Sequence, residues 1–279
     1  MKHQELVRKD RIKCKCLREL SSVEVMEASY HKQSFSRHTH ECYAFGVITG
    51  GRLDFIYQHK NWQANPGDIN LVVPGEVHDG HGAMGGGWSY KMLYMPVEIL
   101  REVNFEITGT DSLPYFLHGV ISHNYLGNSF QSLHKILLSD EATFLQKDSM
   151  LRQWLTSFIT MYSEPKTNFL SKRRQEDKAV RLTIDYLNEH YMNKISLKDL
   201  AVVAGLSSYY LLHVFKDVVG MPPHLYQQQL RVWKAKQLIA KKNSLAAISN
   251  EIGFADQSHF SRQFKKVIGL TPAQYQKMF

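Results

Sequence analysis

Three histidines stand where they could act together: His38 and His40, two residues apart, and His78, which comes after a turn at Pro66-Gly67-Asp68. An imidazole nitrogen either ligates a transition metal or exchanges hydrogen bonds with a polar molecule. On an extended strand the side-chain period of two puts His38 and His40 on one face with Cys42, Ala44 and Gly46, so small residues leave room beside the imidazoles. Trp62, Trp88 and Tyr90 are aromatic surfaces on which a ligand could stack. His38, His40, Cys42, His78, Trp88 and Tyr90 are therefore the expected lining of a small-molecule site.

A second set of chemistry-bearing residues lies in the last third of the chain, where one pattern occurs twice. Ser196-Leu197-Lys198-Asp199-Leu200-Ala201 leads to Ala204-Gly205-Leu206, and 48 positions on Ser244-Leu245-Ala246-Ala247-Ile248-Ser249 leads to Ile252-Gly253-Phe254. Leu211, Phe215, Gly220, Pro223 and Tyr226 then correspond to Phe260, Phe264, Gly269, Pro272 and Tyr275 at an offset of 49, so the second copy carries one extra residue in its turn. Each copy reads as a helix-turn-helix: a serine N-cap, one apolar helix face, a glycine where the first helix ends, and a second helix starting at Ser207 or Asp256. The outward residues of the second helices are Ser207, Ser208, Tyr209, Tyr210, His213 and Lys216 in copy one. In copy two they are Asp256, Gln257, Ser258, His259, Ser261, Arg262, Lys265 and Lys266. These are donors, acceptors and cations of the kind that read a DNA major groove.

Charge localisation points the same way. From Lys172 to the C-terminus there are 17 Lys and Arg against 8 Asp and Glu, whereas residues 1–171 carry 17 against 18, so the whole excess of +8 lies in the last third. A polyanionic partner for that third is expected, double-stranded DNA in particular. A membrane surface suits it poorly, because the cations are spread over several short helices.

This C-terminal region resembles the AraC/XylS family of bacterial transcription regulators over residues 176–279. The resemblance is carried by Arg231-Val232-Trp233-Lys234-Ala235-Lys236-Gln237-Leu238-Ile239, by Ile252-Gly253-Phe254-Ala255-Asp256-Gln257-Ser258-His259-Phe260-Ser261-Arg262-Gln263-Phe264-Lys265-Lys266, and by Gly269-Leu270-Thr271-Pro272-Ala273-Gln274-Tyr275. His213 is a departure, at a position that is often arginine in such proteins. The resemblance implies two recognition helices joined by a linking helix, activation of transcription with RNA polymerase as a partner, and pairing of subunits as a homodimer.

Ahead of this region the pattern is one of short strands. Leu53, Phe55 and Tyr57 alternate with Arg52, Asp54 and Ile56, Tyr43, Phe45 and Val47 with small or polar neighbours, and Ile69, Leu71 and Val73 follow the Pro66-Gly67 turn. Breaks at Gly50-Gly51, His59–Asn61, Pro66-Gly67, Pro74-Gly75 and Gly85-Gly86-Gly87 have the spacing of an all-β sandwich or jelly-roll barrel. His38-Thr39-His40 and the segment from Pro66 to His78 are similar to the two cupin motifs and to the sensor domains of AraC-type regulators. Catalytic cupins add a glutamate a few residues after the second histidine; here Tyr43, Ala44 and Phe45 stand there, and Glu41 falls on the opposite strand face from His40. Hydrogen bonding to a polar effector is thus the favoured chemistry. A metalloenzyme or metal sensor using His38, His40 and His78 is the alternative, and a barrel that only dimerises is a third reading. No catalytic residue and no cofactor are assigned.

The architecture expected is α+β with two domains: a jelly-roll barrel with following helices, then an all-α double helix-turn-helix. Short helical pieces are expected at 97–103 and 115–118, and helix over 132–162, whose apolar residues recur at steps of three and four. The boundaries read as an arm at 1–19, an effector-binding and dimerisation domain at 20–165, a linker at 166–175, and a DNA-binding domain at 176–279 with units at 196–217 and 244–267. Residues 1–19 are charged and hold no apolar run, no stretch has the roughly 18–20 apolar residues of a membrane span, and Cys14, Cys16 and Cys42 form no disulfide framework. The chain is read as cytoplasmic, without a membrane anchor, and its cysteines as reduced.

Overall fold

The computed structural model describes residues 10–83, 86–164, 174–241 and 243–279. The expected linker at 166–175 lies almost wholly outside them, as do Met84 and Gly85 and the first nine residues. By contacts the chain forms two compact units, residues 1–34 with 40–166, and residues 167–279, to which the short segment 35–39 also belongs.

The first unit opens with β1 (Arg11–Leu17), β2 (Val23–Tyr30), β3 (Ser34–His38), β4 (Tyr43–Gly51) and β5 (Leu53–Tyr57). These are followed by β6 (Lys60–Ala64), β7 (Ile69–Val72), β8 (His78–Gly82) and β9 (Trp88–Met95). Then come α1 (Val97–Thr108), β10 (Val120–Ile121), α2 (Asn124–Leu138) and α3 (Phe144–Tyr162). The strands make a six-stranded sheet in the order β1-β2-β9-β4-β7-β10 and a four-stranded sheet β3-β8-β5-β6. This is the double-sheet architecture expected for the region.

Two expectations are corrected. Residues 11–17, read as part of an arm, are an edge strand paired in antiparallel register with β2, from Arg11↔Ser29 to Leu17↔Val23. Residues 115–118, read as helical, form no helix: Tyr115 makes an isolated β-bridge to Glu164, and Phe116 is buried edge-on against Phe45. Burial of one large ring outweighs the weak helical preference of four residues.

Residues 43–48 of β4 are buried on both faces rather than alternating. The reason is α3. Phe45 meets Trp154 and Phe158 edge-on at ring separations of 5.5 and 5.1 Å, so helices cover one face of the large sheet. On α2, His134 is buried and its Nε2 donates to the Met26 carbonyl at 3.0 Å. Burial holds this imidazole below its ordinary range, an effect that the Met26 hydrogen bond only partly opposes. The folded state therefore prefers the neutral ring. Its stability is complete above the ordinary imidazole value of about 6.5 and falls as pH drops below that, where the unfolded chain takes up the proton first. Thermal unfolding between pH 7.5 and 5 is expected to show this loss, and His134→Gln, which keeps an amide donor, to flatten it; equal acid slopes for the two proteins would refute the assignment.

The second unit is helical: α4 (Arg174–His190), α5 (Leu197–Ala204), α6 (Ser208–Val219), α7 (Pro223–Ala240), α8 (Leu245–Glu251), α9 (Gln257–Ile268) and α10 (Pro272–Gln276). The repeat seen in the sequence is the repeat of the fold. Ser196, Ser207, Ser244 and Asp256 each cap a helix by accepting from a backbone N–H three residues on, and Ser196 completes a capping box with Asp199. Each such cap stabilises its helix by about 1 kcal/mol. Gly220 and Gly269 end α6 and α9 with φ of 81° and 82°, and Pro223 and Pro272 then start α7 and α10. Leu211, Phe215, Phe260 and Phe264 are fully buried, as their spacing implied.

Candidate functional site

Register defines the inner face of the large sheet. Met26 pairs with Met92, Met92 with Gly46, and Gly46 with Asn70, making one row across four strands. Glu24, Tyr94, Ala44 and Val72 make the next row, and Ala28, Tyr90 and Ile48 another. Alternation puts these rows opposite the helix-covered side that Phe45 occupies. Ala44 and Gly46 share this face, but the single strand expected to carry them together with His38, His40 and Cys42 is broken: β3 ends at His38 in the four-stranded sheet, residues 39–42 lie outside the strands, and β4 belongs to the six-stranded sheet. A Cβ at Gly46 would overlap Met92 Sδ and Asn70 Oδ1, so a larger residue there requires those two side chains to move.

The three histidines gather. Each offers a ring nitrogen, and these atoms lie within 4.8 Å of one another; His38 and His78 are buried and His40 half-buried. His38 Nδ1 lies 2.8 Å from the Ser36 carbonyl and His78 Nδ1 3.2 Å from the Glu76 carbonyl. A carbonyl only accepts, so both rings carry their proton on Nδ1 and present an Nε2 lone pair. That tautomer accepts a hydrogen bond or ligates a metal. His40 packs against His78 at 4.8 Å and edge-on against Tyr94 at 5.3 Å.

Trp88 and Tyr90 are buried together with Tyr30, which lies 5.2 and 5.7 Å from them ring to ring, so part of the surface expected to meet a ligand is spent on each other. Tyr90 Oη is 3.4 Å from Tyr30 Oη and 3.7 Å from Met26 Sδ. Burial above all pushes the Tyr30, Tyr90 and Tyr94 phenols far up, which keeps them neutral donors. Trp62 stands apart on β6, where its Nε1 donates to the Tyr57 carbonyl. Cys42 is half-buried just before β4. On β1, burial, aided by Glu24, pushes the Cys14 thiol up to about 11, so it stays protonated and unreactive at neutral pH.

Sequence reading missed Tyr94 and Asn70. Asn70 is buried in the Gly46–Met92 row; its Nδ2 donates to Met92 Sδ at 3.8 Å, while its Oδ1 accepts no hydrogen bond from the described residues. A buried acceptor left unmet costs about 1–3 kcal/mol, which a donor on a bound molecule would offset. Burial next to a glycine in strand register was the available signal, and it becomes visible only once the register is known.

In the second unit the outward faces of α6 and α9 carry the expected residues. Tyr209, Tyr210, His213 and Lys216 are exposed on α6, as are Gln257, Ser258, Arg262, Lys265 and Lys266 on α9. Ser208, His259 and Ser261 are half-buried. Ser207 and Asp256 use their side chains as caps. Tyr209 and His213 lie edge-on one turn apart at 4.4 Å, and the Tyr210 hydroxyl donates to Glu176 at 2.6 Å, turning that residue toward α4. His259 lies edge-on to Phe254 at 5.3 Å.

A double-sheet domain that gathers three histidines, followed by tandem helix-turn-helix motifs, defines a sensor joined to a DNA-binding unit. Residues 20–155 match the model of the AraC-like ligand binding domain, and residues 200–278 a helix-turn-helix domain model. YbfI, an uncharacterised HTH-type transcriptional regulator of Bacillus subtilis, is 34% identical over 227 residues, covering 81% of this chain and 82% of that one. The lactose operon transcription activator of Staphylococcus xylosus is 23% identical over 84% of this chain and 83% of its own. Among solved structures, ToxT of Vibrio cholerae bound to an unsaturated fatty acid matches over 98% of each chain with a TM-score of 0.58 at 13% identity, a likeness of fold. The chain belongs to the AraC family of transcription regulators. It is a DNA-binding regulator with an AraC-type ligand-binding domain.

Proposed function

We propose that α6 and α9 enter successive major grooves of one operator, and that a small polar molecule bound by the inner face of the sandwich controls this binding. What supports the DNA reading is the duplication itself: two polar, partly cationic helix faces stand on two equivalent buried cores. The grooves would be about one helical turn, roughly 34 Å, apart. Lys216, Lys265 and Lys266 suit phosphates, while Arg262, Gln257 and Tyr209 suit base edges. Ser207 and Asp256 seat their helices. Arg262→Ala is expected to weaken binding to the specific site by about 1–3 kcal/mol and to relax sequence preference at one position. Unchanged affinity and preference in a fluorescence anisotropy titration would remove Arg262 from the contact.

The effector reading is supported by imidazole lone pairs, neutral phenols and the Asn70 acceptor, all groups that recognise hydroxyl or amide functions. Binding acts by population shift: the effector favours one regulatory state only by its differential affinity for the two. The protein regulates rather than catalyses, and activation through RNA polymerase is the sense favoured by the relative named as an activator. A homodimer formed through α3 is supported by the exposed apolar residues Phe144, Leu145 and Met161 on that helix. The absence, among the described residues, of any single helix long and apolar enough to cross a membrane is consistent with action in the cytoplasm.

A second reading gives the three imidazoles a metal. Nδ1 protons held by carbonyls and ring nitrogens within 4.8 Å of one another fit a divalent transition metal, with water or effector completing the set. The metal would then make the protein a metal sensor or bridge it to its effector.

A further inference from the structure

Arg231, on the linking helix α7, is half-buried and donates to four backbone carbonyls. Its Nε reaches the Tyr191 oxygen at 2.8 Å, Nη1 the Gly253 oxygen at 2.6 Å, and Nη2 the Asn193 and Met192 oxygens at 3.1 and 3.4 Å. The guanidinium also lies 5.8 Å from the centre of the Phe254 ring. One turn earlier on α7, Gln227 Nε2 donates to the same Tyr191 and Asn193 oxygens at 3.1 and 2.8 Å.

These carbonyls come from two places far apart in sequence. Tyr191, Met192 and Asn193 form the turn that ends α4, where the negative end of the helix dipole and unmet carbonyls attract a cation. Gly253 and Phe254 form the turn of the second helix-turn-helix, between α8 and α9. The two turns touch directly: Gly253 has φ of 79°, and a Cβ there would collide with the Met192 carbonyl. α4 packs on α5 and α6, while α8 and α9 pack on each other and on α7. One guanidinium thus bolts the motif containing α6 to the motif containing α9, away from the axis of the helix that joins them.

We propose that Arg231 is a positioning residue for operator recognition: it fixes the separation and angle of the two recognition helices, and so the spacing of the two sub-sites that the protein accepts. A single connecting helix fixed at its two ends still allows twist and bend between its attached motifs. A second tie to the side of its axis removes that freedom. The planar fork of arginine suits the task because it serves several carbonyls at once, whereas a lysine ammonium is one compact donor group. The proposal rests on the reading that both α6 and α9 touch DNA.

The test uses the full-length protein and a duplex selected from a random library against it, together with duplexes carrying one or two base pairs inserted or deleted between the two protected sub-sites. The unsubstituted protein is expected to bind the altered duplexes about tenfold or more weakly, as for mismatched sites in general. Arg231→Ala and Arg231→Lys are expected to bind the parental duplex less tightly but to lose most of this discrimination. Arg231→Lys keeps the charge and serves where the alanine variant folds poorly. If both variants lose affinity equally for every spacing, the residue is structural only and the proposal is overturned. Footprinting of the unsubstituted protein separates the two claims: protection of a single groove would overturn the two-helix reading itself.

Discussion

Replacing His38 and His78 together by alanine is expected to abolish the effect of the effector on DNA binding while leaving effector-free DNA affinity unchanged. Both rings are buried, and both present Nε2 through the same device, an Nδ1 proton held by a carbonyl two residues back. Neither lies on α6 or α9. Losing two such acceptors weakens a polar ligand by roughly a hundredfold or more, since each of its donors would be left unmet in a buried site. The experiment compares thermal unfolding and operator binding of the two proteins against sugars, amino acids and aromatic acids, because a molecule that binds the folded state raises its melting temperature. A compound that stabilises the unsubstituted protein and not the double variant locates the site. Metal analysis of the same preparations, purified without chelator, separates the two chemistries. About one metal per chain, lost in the double variant, assigns the imidazoles to a metal; trace metal in both assigns them to the effector directly. A full effector response from the double variant would move the pocket elsewhere.

What was legible in the sequence depended on how local its cause is. The second unit was read nearly in full because caps and turn glycines act within a few residues: Ser196, Ser207, Ser244 and Asp256 all cap where the repeat placed them. The extra residue of the second copy also sits where the offset put it, ahead of the Asp256 cap. The edge strand β1 was missed although its signal is present, because Ile12, Cys14 and Cys16 alternate with Arg11, Lys13 and Lys15. Cations on one face made it look like a solvated arm, and lysines on an edge strand are also how sheets avoid pairing with other chains. The histidine cluster could be proposed from spacing because two of its members are neighbours on the chain. Asn70 and Tyr94 could not, since they join the site only through the pairing of β9, β4 and β7, which hydrophobic patterning leaves open. Residues 115–118 misled because Phe116 takes its position from a distant aromatic cluster rather than from its neighbours.

Replacing Phe264 by alanine is expected to melt the second helix-turn-helix and with it specific DNA binding. Phe264 is fully buried, with Phe260 at 5.6 Å and Tyr275 at 5.5 Å ring to ring, so it joins α9 to α10. Tyr275 in turn lies beneath Lys236 of α7 and beside Phe279, so the loss reaches the linking helix. Removing a buried phenyl ring costs about 3–5 kcal/mol, a large part of what a domain of this size has to spare. Its transition should fall by roughly 12–40 °C, given about 4–8 °C per kcal/mol for domains of up to some 100 residues. Calorimetry on the full chain should show that shift in the C-terminal transition and little change in the β-domain transition, because the two units have separate cores. Phe215→Ala is the matching change in the first copy and should cost a similar amount, since Phe215 is equally buried and packs edge-on against Tyr226 at 5.8 Å. A Phe264→Ala protein that melts and binds like the parent would mean that α9 and α10 do not depend on this ring, and that the second recognition helix is held by contacts elsewhere.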